Sequence, residues 1–411
     1  MLNKKIIHNI AWLLGEHSWR IISGLIVASI LARQLSLDNY GIFQYSLALV
    51  AIFSSVSFIC SGEVLVPMFA NVEKNEQNKI LINAFFLRLF FSILAFILLN
   101  VYAYFTETIN NYYVVLIIGL SLLMTEATAV VVAWLQSKTY MKPNSVLFFI
   151  TQLIKTLFCI ILYFIGVRNV YIYAFVFVLQ PILASIGLIY IYFKMNKSFI
   201  VEYDFLLIKK LFKLGLPFFY GLMVWYLFSK LDFLFLKQMV SVNDLAYYGA
   251  AVQLTNTIKI MAPIFVMSMA PILVYKQTSN YLVKRNILLM SGCLLILGIL
   301  TAIFVQLFAP FIVPFLFGNK YDHSIKLTIL LTWFLCLFFV ESGLNVYLLK
   351  IQEGNLITIK WIIVSIVSIP TYFIFIKYYN IYGAVYTQIV VYLLAIVIGL
   401  WILINKNKIT K

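Results

Sequence analysis

Long apolar runs, separated by a few polar residues at a time, follow one another along this chain. Each run lasts about twenty residues or more, as in Val114–Leu135, and strict alternation of apolar and polar residues is absent. A helix needs about 20 apolar residues to cross a bilayer, so the pattern predicts transmembrane helices rather than a barrel of short strands. We place about twelve spans, at residues 10–32, 41–68, 80–104, 112–136, 144–166, 170–193, 212–236, 245–275, 284–308, 325–349, 356–376 and 382–404.

The composition supports an all-α integral membrane protein. The 411 residues are 64% hydrophobic and 11% charged, whereas a soluble domain carries about 25% charged residues. A water-soluble fold of this length cannot hide so much apolar surface. The four cysteines lie inside apolar runs without a C-x-x-C pair, and the three histidines form no ligand motif, so we expect neither disulfides nor a metal site.

The chain divides into two halves of six spans. The longest loop, near 194–211, is basic, and we predict an N-terminal six-helix bundle at 1–193, a cytoplasmic linker at 194–211 and a C-terminal bundle at 212–411. A weak sequence similarity between the two halves fits two parallel repeats. The alternative is chance agreement between residues at membrane boundaries. In each half a basic-Gln-apolar exit is followed by Tyr-Gly, at Arg33-Gln34-Leu35 and Tyr40-Gly41, and at Lys237-Gln238-Met239 and Tyr248-Gly249.

The distribution of positive charge predicts the orientation. The formal net charge is +16, and most of the 30 Lys and Arg residues fall on the side that carries both termini. By the positive-inside rule both termini are cytoplasmic. The N-terminus resembles a signal peptide in its basic start, but no A-x-A-like site follows and the run carries Glu16, His17 and Arg20, so we expect a retained first span. The charges do not cluster on a soluble module, which argues against nucleic acid as a partner.

Several short motifs carry a resemblance to a known family. Residues 32–41 read A-R-Q-L-S-L-D-N-Y-G. They are similar to the A-R-x-L-x-x-x-x-Y-G of the Wzx-type polysaccharide flippases, in the superfamily that also holds the MATE drug exporters and the peptidoglycan-precursor flippase. Gly215-Leu216-Pro217 is similar to the G-x-P that opens the second half, Asp232 to an acid late in the same helix, and Gly249-Ala250-Ala251 to the small-residue start of the eighth span. The last span opens with a sequence like Y-G-x-x-G-A, except that Asn380 stands where the first glycine is usual.

This resemblance implies two six-helix bundles around a central cavity that work by alternating access. The implied cargo is an undecaprenyl-diphosphate-linked oligosaccharide, moved from the cytoplasmic to the outer leaflet of the bacterial inner membrane for O-antigen, lipopolysaccharide or capsule synthesis. The implied partners are this lipid-linked oligosaccharide, membrane lipids, an H⁺ or Na⁺ gradient and the polysaccharide polymerase machinery.

Ten ionisable residues fall inside or near the ends of the predicted spans. A charge at the bilayer centre costs about 2.5–3.5 kcal/mol even on a lenient scale, so most of these residues must face one another or a wet interior. We predict that five basic residues line a cationic cavity that receives the diphosphate: Arg20, Arg88, Lys155, Lys230 and Lys259. The alternative is that they act as structural glue by pairing with acids, or, for Lys230, that the side chain snorkels to the outer rim.

The acidic members of this set suit ion coupling or pairing. They are Glu16, Glu126, Asp232 and Glu341, with Glu63 nearer a rim, where Asp232 is also expected. Glu16 and Arg20 are spaced i, i+4 and can pair on one helix face. A carboxylate in low dielectric can load and release a proton, but nothing in the sequence separates proton from sodium coupling.

Two other functions compete with the flippase. A MATE-like exporter of small cationic molecules would favour an acidic, aromatic cavity. A membrane glycosyltransferase or polymerase would display catalytic residues on a large outer loop, and the predicted outer loops are short. No P-loop, G-x-S-x-G or zinc motif is present, so we expect a transporter rather than an enzyme, driven by an ion gradient and without a cofactor.

Overall fold

The computed structural model describes residues 4–196, 202–351 and 353–406, and within them it contains helices and no strands. Residues up to Lys230 and residues from Leu231 onward form two compact units. The predicted division at 194–211 into six plus six spans stays a prediction about membrane topology, and residues 197–201 of that linker lie outside the described residues.

The described residues of the first unit form nine α-helices: α1 Lys4–Gln34, α2 Leu37–Ser54, α3 Gly62–Ala70, α4 Lys74–Thr106, α5 Ile109–Gly119, α6 Leu122–Ser137, α7 Lys142–Ile165, α8 Val170–Met195 and α9 Phe205–Phe228. Within the described residues, α1 packs on α7, α7 on α8, α8 on α6 and α6 on α4, while α9 packs on α4. The polar side chains considered below lie along this succession of neighbouring helices.

In the second unit, the part of the chain that the structure describes forms seven α-helices: α10 Leu231–Met239, α11 Val242–Lys259, α12 Met261–Ala270, α13 Asn280–Phe317, α14 His323–Lys350, α15 Gly354–Tyr379 and α16 Ile381–Asn405. Helix α14 is central among the described residues, because it packs against α11, α12, α13, α15 and α16. A single π-helical turn, Pro271–Tyr275, follows α12.

Eleven of the described helical segments are long and apolar enough to cross a membrane. Helix α1 is a further long helix of 31 residues, and it carries Glu16, Arg20 and Arg33 along its length. The architecture of about twelve membrane-crossing helices that the apolar runs predict is therefore confirmed. Large apolar side chains remain exposed on these helices, as at Phe311 and Phe315 of α13, which suits hydrocarbon as the surrounding solvent.

The predicted span at 41–68 is interrupted rather than continuous. Helix α2 ends at Ser54, a 3₁₀ turn covers Ser55–Ser57, and α3 begins only at Gly62. In the break, Cys60 adopts a φ of 53° and is buried. Gly215 of α9 lies so close that a Cβ at this position would stand 2.6 Å from the Cys60 backbone nitrogen. The glycine of the G-x-P motif thus permits α9 to pack against the broken helix.

Serine side chains cap the second helix of each predicted repeat. Ser36 Oγ accepts a hydrogen bond from Asn39 N at 3.2 Å, and Ser241 Oγ accepts one from Asp244 N at 3.1 Å. An N-cap of this kind satisfies a backbone donor that the first helical turn leaves unpaired. Tyr40 and Tyr248, which follow in α2 and α11, are both fully buried. The two helical hairpins that share the similar motifs therefore begin their second helices, α2 and α11, in the same way.

Candidate functional site

Arg88 and Glu126 form an ion pair inside the first unit. Arg88 lies on α4 and Glu126 on α6, two helices that pack together, and Arg88 Nη2 donates to Glu126 Oε2 at 2.7 Å. The Arg88 side chain is 4% exposed, and its Nε has no hydrogen-bond partner within the described part of the chain. A pair buried to this degree must stay together, because separating it would leave an uncompensated charge.

Lys155 of α7 is a buried cation with neutral partners. Its Nζ donates to Oε1 of Gln180, on α8, at 2.8 Å, and lies 4.9 Å from the centroid of the Phe177 ring. The residue is 9% exposed. No carboxylate of the described residues pairs with this ammonium group. The positive charge is held by an amide dipole and an aromatic face, both of which a stronger anionic ligand can outcompete.

A cavity of about 330 Å³ lies within the first unit, between the partners of these two cations. Glu126 and Gln180 both line it, so the Arg88 pair and the Lys155 pair meet at its wall. Its other polar lining residues are Ser121, Thr125, Thr128 and Ser185, and the remaining wall is apolar. The cavity therefore combines hydroxyl and amide groups with one ionisable carboxyl group.

Glu16, Trp19 and Arg20 of α1 extend the polar cluster. Together with Gln152 of α7 and Gln180, they line a second cavity of about 10 Å³. Arg20 bonds to His17 on its own helix, and no ion pair joins Arg20 to Glu16. The predicted i, i+4 pair is therefore not formed, because the Arg20 guanidinium turns toward His17. Glu16 Oε2 and Trp19 Nε1 are buried without a hydrogen-bond partner among the described residues.

The second unit contains a neutralised buried pair. Lys360 Nζ on α15 donates to Glu341 Oε1 on α14 at 2.7 Å and to Asn345 Oδ1 at 2.8 Å. The Lys360 side chain is 1% exposed and lies near the start of α15, so it is buried between helices rather than solvated. The helix packs this face inward on α14, where the carboxylate compensates the charge. Of the two roles expected for Glu341, ion coupling or pairing, the geometry fits pairing.

Asp232 is also buried, although a position toward the rim was expected. Its Oδ2 accepts from Tyr248 Oη at 2.7 Å and from Gln388 Nε2 at 3.1 Å, while its Oδ1 accepts from the Phe233 backbone nitrogen at 2.9 Å. The residue is 4% exposed. Tyr248 lies on α11 and Gln388 on α16, so Asp232 connects α10 to the core of the second unit.

The two remaining cations lie apart from the α1–α7–α8 cluster. Lys259, at the end of α11, has its Nζ 4.4 Å from the Phe338 ring centroid of α14, which places it in the second unit. Lys230 is half-buried in the short turn between α9 and α10, where the two units divide. The structure thus brings Glu16, Arg20, Arg88, Glu126 and Lys155 together through Gln180, and Lys230 and Lys259 do not share in that arrangement.

An ion pair fastens the segment before α9 to α4. Lys79 Nζ lies 2.8 Å from Asp204 Oδ2, and Asp204 Oδ1 caps α9 by accepting from the backbone nitrogens of Leu206 and Leu207. Asn83 adds bonds to the backbone of residues 202 and 204. The hydrogen bond from Lys79, together with the capping bonds, holds the pKa of the Asp204 carboxyl below its ordinary value.

Sequence reasoning missed the neutral side chains that organise the site. Gln152, Gln180 and Gln388 carry no charge, so the cost of burying an ion did not single them out. Their interruption of long apolar runs was the available signal, since a buried amide also needs partners. The described residues contain no group of three or more His, Cys, Asp or Glu side chains that could hold a metal ion.

Residues 6–277 match the family model described as "Polysaccharide biosynthesis protein". The match covers more than half of the chain. The chain belongs to the polysaccharide biosynthesis protein family. A search of curated proteins returns no significant match.

The fold is similar to solved transporter structures. A lipid II flippase MurJ in an inward closed conformation has a TM-score of 0.74 at 16% identity, over 96% of this chain and 87% of that one. An inward-facing multidrug resistance MATE family transporter of the MOP superfamily has a TM-score of 0.67 at 14% identity, over 94% of both chains. A MOP superfamily transporter from Pyrococcus furiosus has a TM-score of 0.63 at 14% identity, over 98% and 97%. The chain therefore belongs to the polysaccharide biosynthesis protein family and has a multi-pass helical fold similar to that of the MurJ and MATE structures.

Proposed function

We propose that this protein is a flippase that moves an oligosaccharide linked by a diphosphate to a polyprenol, such as undecaprenol, from the cytoplasmic to the outer leaflet of the bacterial cytoplasmic membrane. The product feeds surface polysaccharide synthesis, of which O-antigen, lipopolysaccharide and capsule are the candidate classes. Both termini lie in the cytoplasm. The support comes from the family, the transporter fold and the chemistry of the first unit.

Lys155 is the observation that carries the proposal. A diphosphate crosses the hydrocarbon region only where cationic donors replace its hydration, and those donors must not be neutralised already. Lys155 is buried in a membrane-crossing helix, beside a cavity with further polar groups. Among the described residues its Nζ contacts Gln180 and the Phe177 ring and no carboxylate. Arg20 belongs to the same cluster, because Arg20 and Gln180 line the same small cavity. A diphosphate can therefore displace the Gln180 amide from Lys155 without breaking an ion pair.

The remaining predicted cations differ in the side chains that they contact. Arg88 keeps one donor, Nε, unpartnered beside Glu126, so it can contribute one hydrogen bond while staying neutralised. Lys230, at the end of the first unit, and Lys259, in the second unit, remain predicted ligands of the diphosphate. Transport runs on an H⁺ or Na⁺ gradient. The predicted coupling or pairing carboxylates are Glu16, Glu126, Asp232 and Glu341, of which Glu126 and Glu341 are held in ion pairs. The polymerase machinery that consumes the flipped lipid is the expected partner.

Loss of the gene and its complementation test this function in cells. Deletion should trap lipid-linked repeat units on the inner leaflet, whereas loss of a polymerase would leave single units already outside. Complementation by K155R should restore surface glycan, because the charge is kept, and complementation by K155Q at equal protein level should not. Full surface glycan in the deletion strain, or loss of small-molecule efflux instead of glycan export, would contradict the proposal and favour a MATE-like exporter.

A further inference from the structure

Three lysines lie on one face of the first half of α9. Lys209 and Lys213 are spaced i, i+4, Lys210 and Lys213 are spaced i, i+3, and all three are exposed. In a helix with 3.6 residues per turn, their side chains leave the axis within an arc of about 100°. We call this surface the α9 lysine face. It is separate from the cavity near Lys155, whose lining includes no residue of α9.

The α9 lysine face carries its positive charge without a carboxylate partner. Within the described part of the chain, the three ammonium groups take part in no ion pair or hydrogen bond. The acids just before α9 are Glu202 and Asp204. Asp204 binds Lys79 at 2.8 Å and caps α9, and Glu202 also attracts Lys79. Like charges three and four residues apart destabilise a helix, so the lysine face is more stable with an anion bound.

The depth of these lysines corresponds to the level of lipid headgroups. Lys79 and Asp204 are both partly exposed, as expected at the boundary with water. Along a helix close to the membrane normal, Lys209 and Lys210 lie about 8–9 Å beyond Asp204, and Lys213 lies about 14 Å beyond it. The headgroup layer of one leaflet is about 5–8 Å thick. A lysine at or just below this layer extends its ammonium group back to the phosphates.

The same face of α9 is apolar on both sides of the lysines. Leu206 precedes them by about one turn and Pro217 follows by about one turn, and both are exposed. Leu214, at the edge of the face, is exposed as well. An apolar surface beside a cationic one matches the two parts of a phospholipid, since its acyl chains lie below its phosphate. A soluble anion would gain nothing from the apolar part.

We propose that the α9 lysine face binds the phosphate of an anionic phospholipid in the cytoplasmic leaflet. The predicted orientation puts the start of α9 in that leaflet. Anionic headgroups attract lysines beside a membrane span, at about fivefold in affinity for each lysine. The ammonium groups hold the phosphate, and the acyl chains lie along Leu214 and Pro217. This site goes beyond the proposed function, because its ligand is a lipid of the bilayer rather than the cargo.

Native mass spectrometry of the full-length protein tests the binding. Phosphatidylglycerol should bind wild type and the charge-keeping variant K209R/K210R/K213R, and it should bind both more tightly than zwitterionic phosphatidylcholine does. Its affinity should fall by roughly 100-fold in K209Q/K210Q/K213Q and by about fivefold in K210Q alone. The three side chains are exposed, so the variants should keep the wild-type melting temperature without added lipid. The single variant decides the question where the triple variant is unstable.

A second triple variant controls for the loss of total charge. K142Q/K276Q/R285Q removes three exposed cations that are predicted on the same side of the membrane but lie on different segments. It should bind phosphatidylglycerol as wild type does. An equal loss of affinity in both triple variants, or no loss in K209Q/K210Q/K213Q, overturns the proposal.

Two further measurements separate a bilayer lipid from other anions. Inorganic pyrophosphate, which has no acyl chains, should bind wild type no better than K209Q/K210Q/K213Q. In phosphatidylcholine proteoliposomes, which contain no anionic lipid, this variant should move a fluorescent polyprenyl-diphosphate oligosaccharide at the wild-type rate. Pyrophosphate bound at these lysines, or transport lost in the variant, assigns them to a soluble anion or to the cargo and overturns the proposal. A wild-type protein that moves no probe refutes the proposed function and leaves the phosphatidylglycerol measurement to decide this inference.

Discussion

The partner of each buried charge determines what that residue can do. Lys360 is fixed by Glu341 and Asn345, and Arg88 by Glu126, whereas Lys155 has only the Gln180 amide and an aromatic ring. An ion pair in low dielectric is stable only as a pair, so its members are poor ligands for a third charge. A cation held by neutral groups can exchange them for an anion.

Lys360 should be structural, and its loss should cost stability. K360M leaves the Glu341 carboxylate buried without its cation, so we expect a loss of about 3–5 kcal/mol in the free energy of unfolding. The double variant E341L/K360M should recover most of that loss. K377M, an exposed lysine of the same helix, serves as the control and should change stability by no more than about 0.5 kcal/mol. Equal melting temperatures for K360M and K377M in detergent would refute the structural role.

Gln180 should set the charge state of the Lys155 site. Q180E places a carboxylate where the amide oxygen now lies, 2.8 Å from Lys155 Nζ, and the new pair should exclude an anionic cargo. A charge-assisted hydrogen bond contributes about 1.5–3 kcal/mol, which corresponds to a loss of roughly 10- to 100-fold in export rate. Surface glycan at equal protein level is the readout. Normal export by Q180E would show that Lys155 does not receive the cargo.

The charged residues could be found from the sequence, but their partners could not. The cost of placing ions in hydrocarbon singled out Lys155, Glu126 and Glu341 at once. Which cation meets which carboxylate depends on the faces that α4 and α6, or α14 and α15, turn toward each other. Helical periodicity does not identify those faces, because each of these helices carries apolar side chains on every face. For this reason Lys360 is not among the residues that the sequence predicts for the site.

At the scale of the helix, the break between α2 and α3 is the least expected feature. Residues 55–61 contain neither proline nor glycine, but Ser55, Ser57 and Ser61 interrupt the apolar run. These serines are a weak local signal, because small polar residues also occur inside continuous membrane helices. A further signal lies elsewhere in the chain, at Gly215, where α9 approaches the Cys60 backbone. The apolar runs predicted the helices well because each run must satisfy its own backbone in lipid. A break supported by packing between distant segments leaves no such trace.

Gly215 should therefore tolerate no side chain. In G215A the new Cβ would stand 2.6 Å from Cys60 N, and one of the two segments must shift. We expect a loss of about 1–3 kcal/mol in unfolding free energy, as for other overpacked sites. G292A is the matched control: its Cβ meets nothing within 4 Å, and alanine favours a helix over glycine by about 1 kcal/mol. A G215A protein as stable as G292A would remove the packing explanation.

For the whole molecule, the orientation follows from the basic residues rather than from the fold. Lysines at the start of α9, such as Lys209, are predicted on the cytoplasmic side, and Lys320 in the turn after α13 on the outer side. The number of long helices agrees with the runs of the sequence. The packing of α9 with the first unit shows that contacts between helices need not divide where the loops are longest.

Cysteine labelling of intact cells checks this orientation. A membrane-impermeant maleimide should label the variant Lys320→Cys and should not label Lys209→Cys until the cells are opened. The wild-type chain, with its four native cysteines, provides the background. The opposite labelling pattern would place both termini outside and reverse the proposed direction of transport.

The central claim is that Lys155 binds the diphosphate of a lipid-linked oligosaccharide while the protein moves it across the membrane. Flipping by the purified protein tests this claim most directly. Proteoliposomes are loaded with a fluorescent polyprenyl-diphosphate oligosaccharide, and the fraction that reaches the opposite leaflet is read by quenching from outside. Wild type and K155R should move the probe, and K155Q should be slower by roughly tenfold or more, since one charge-assisted contact is lost. Equal rates for K155Q and wild type would contradict the account.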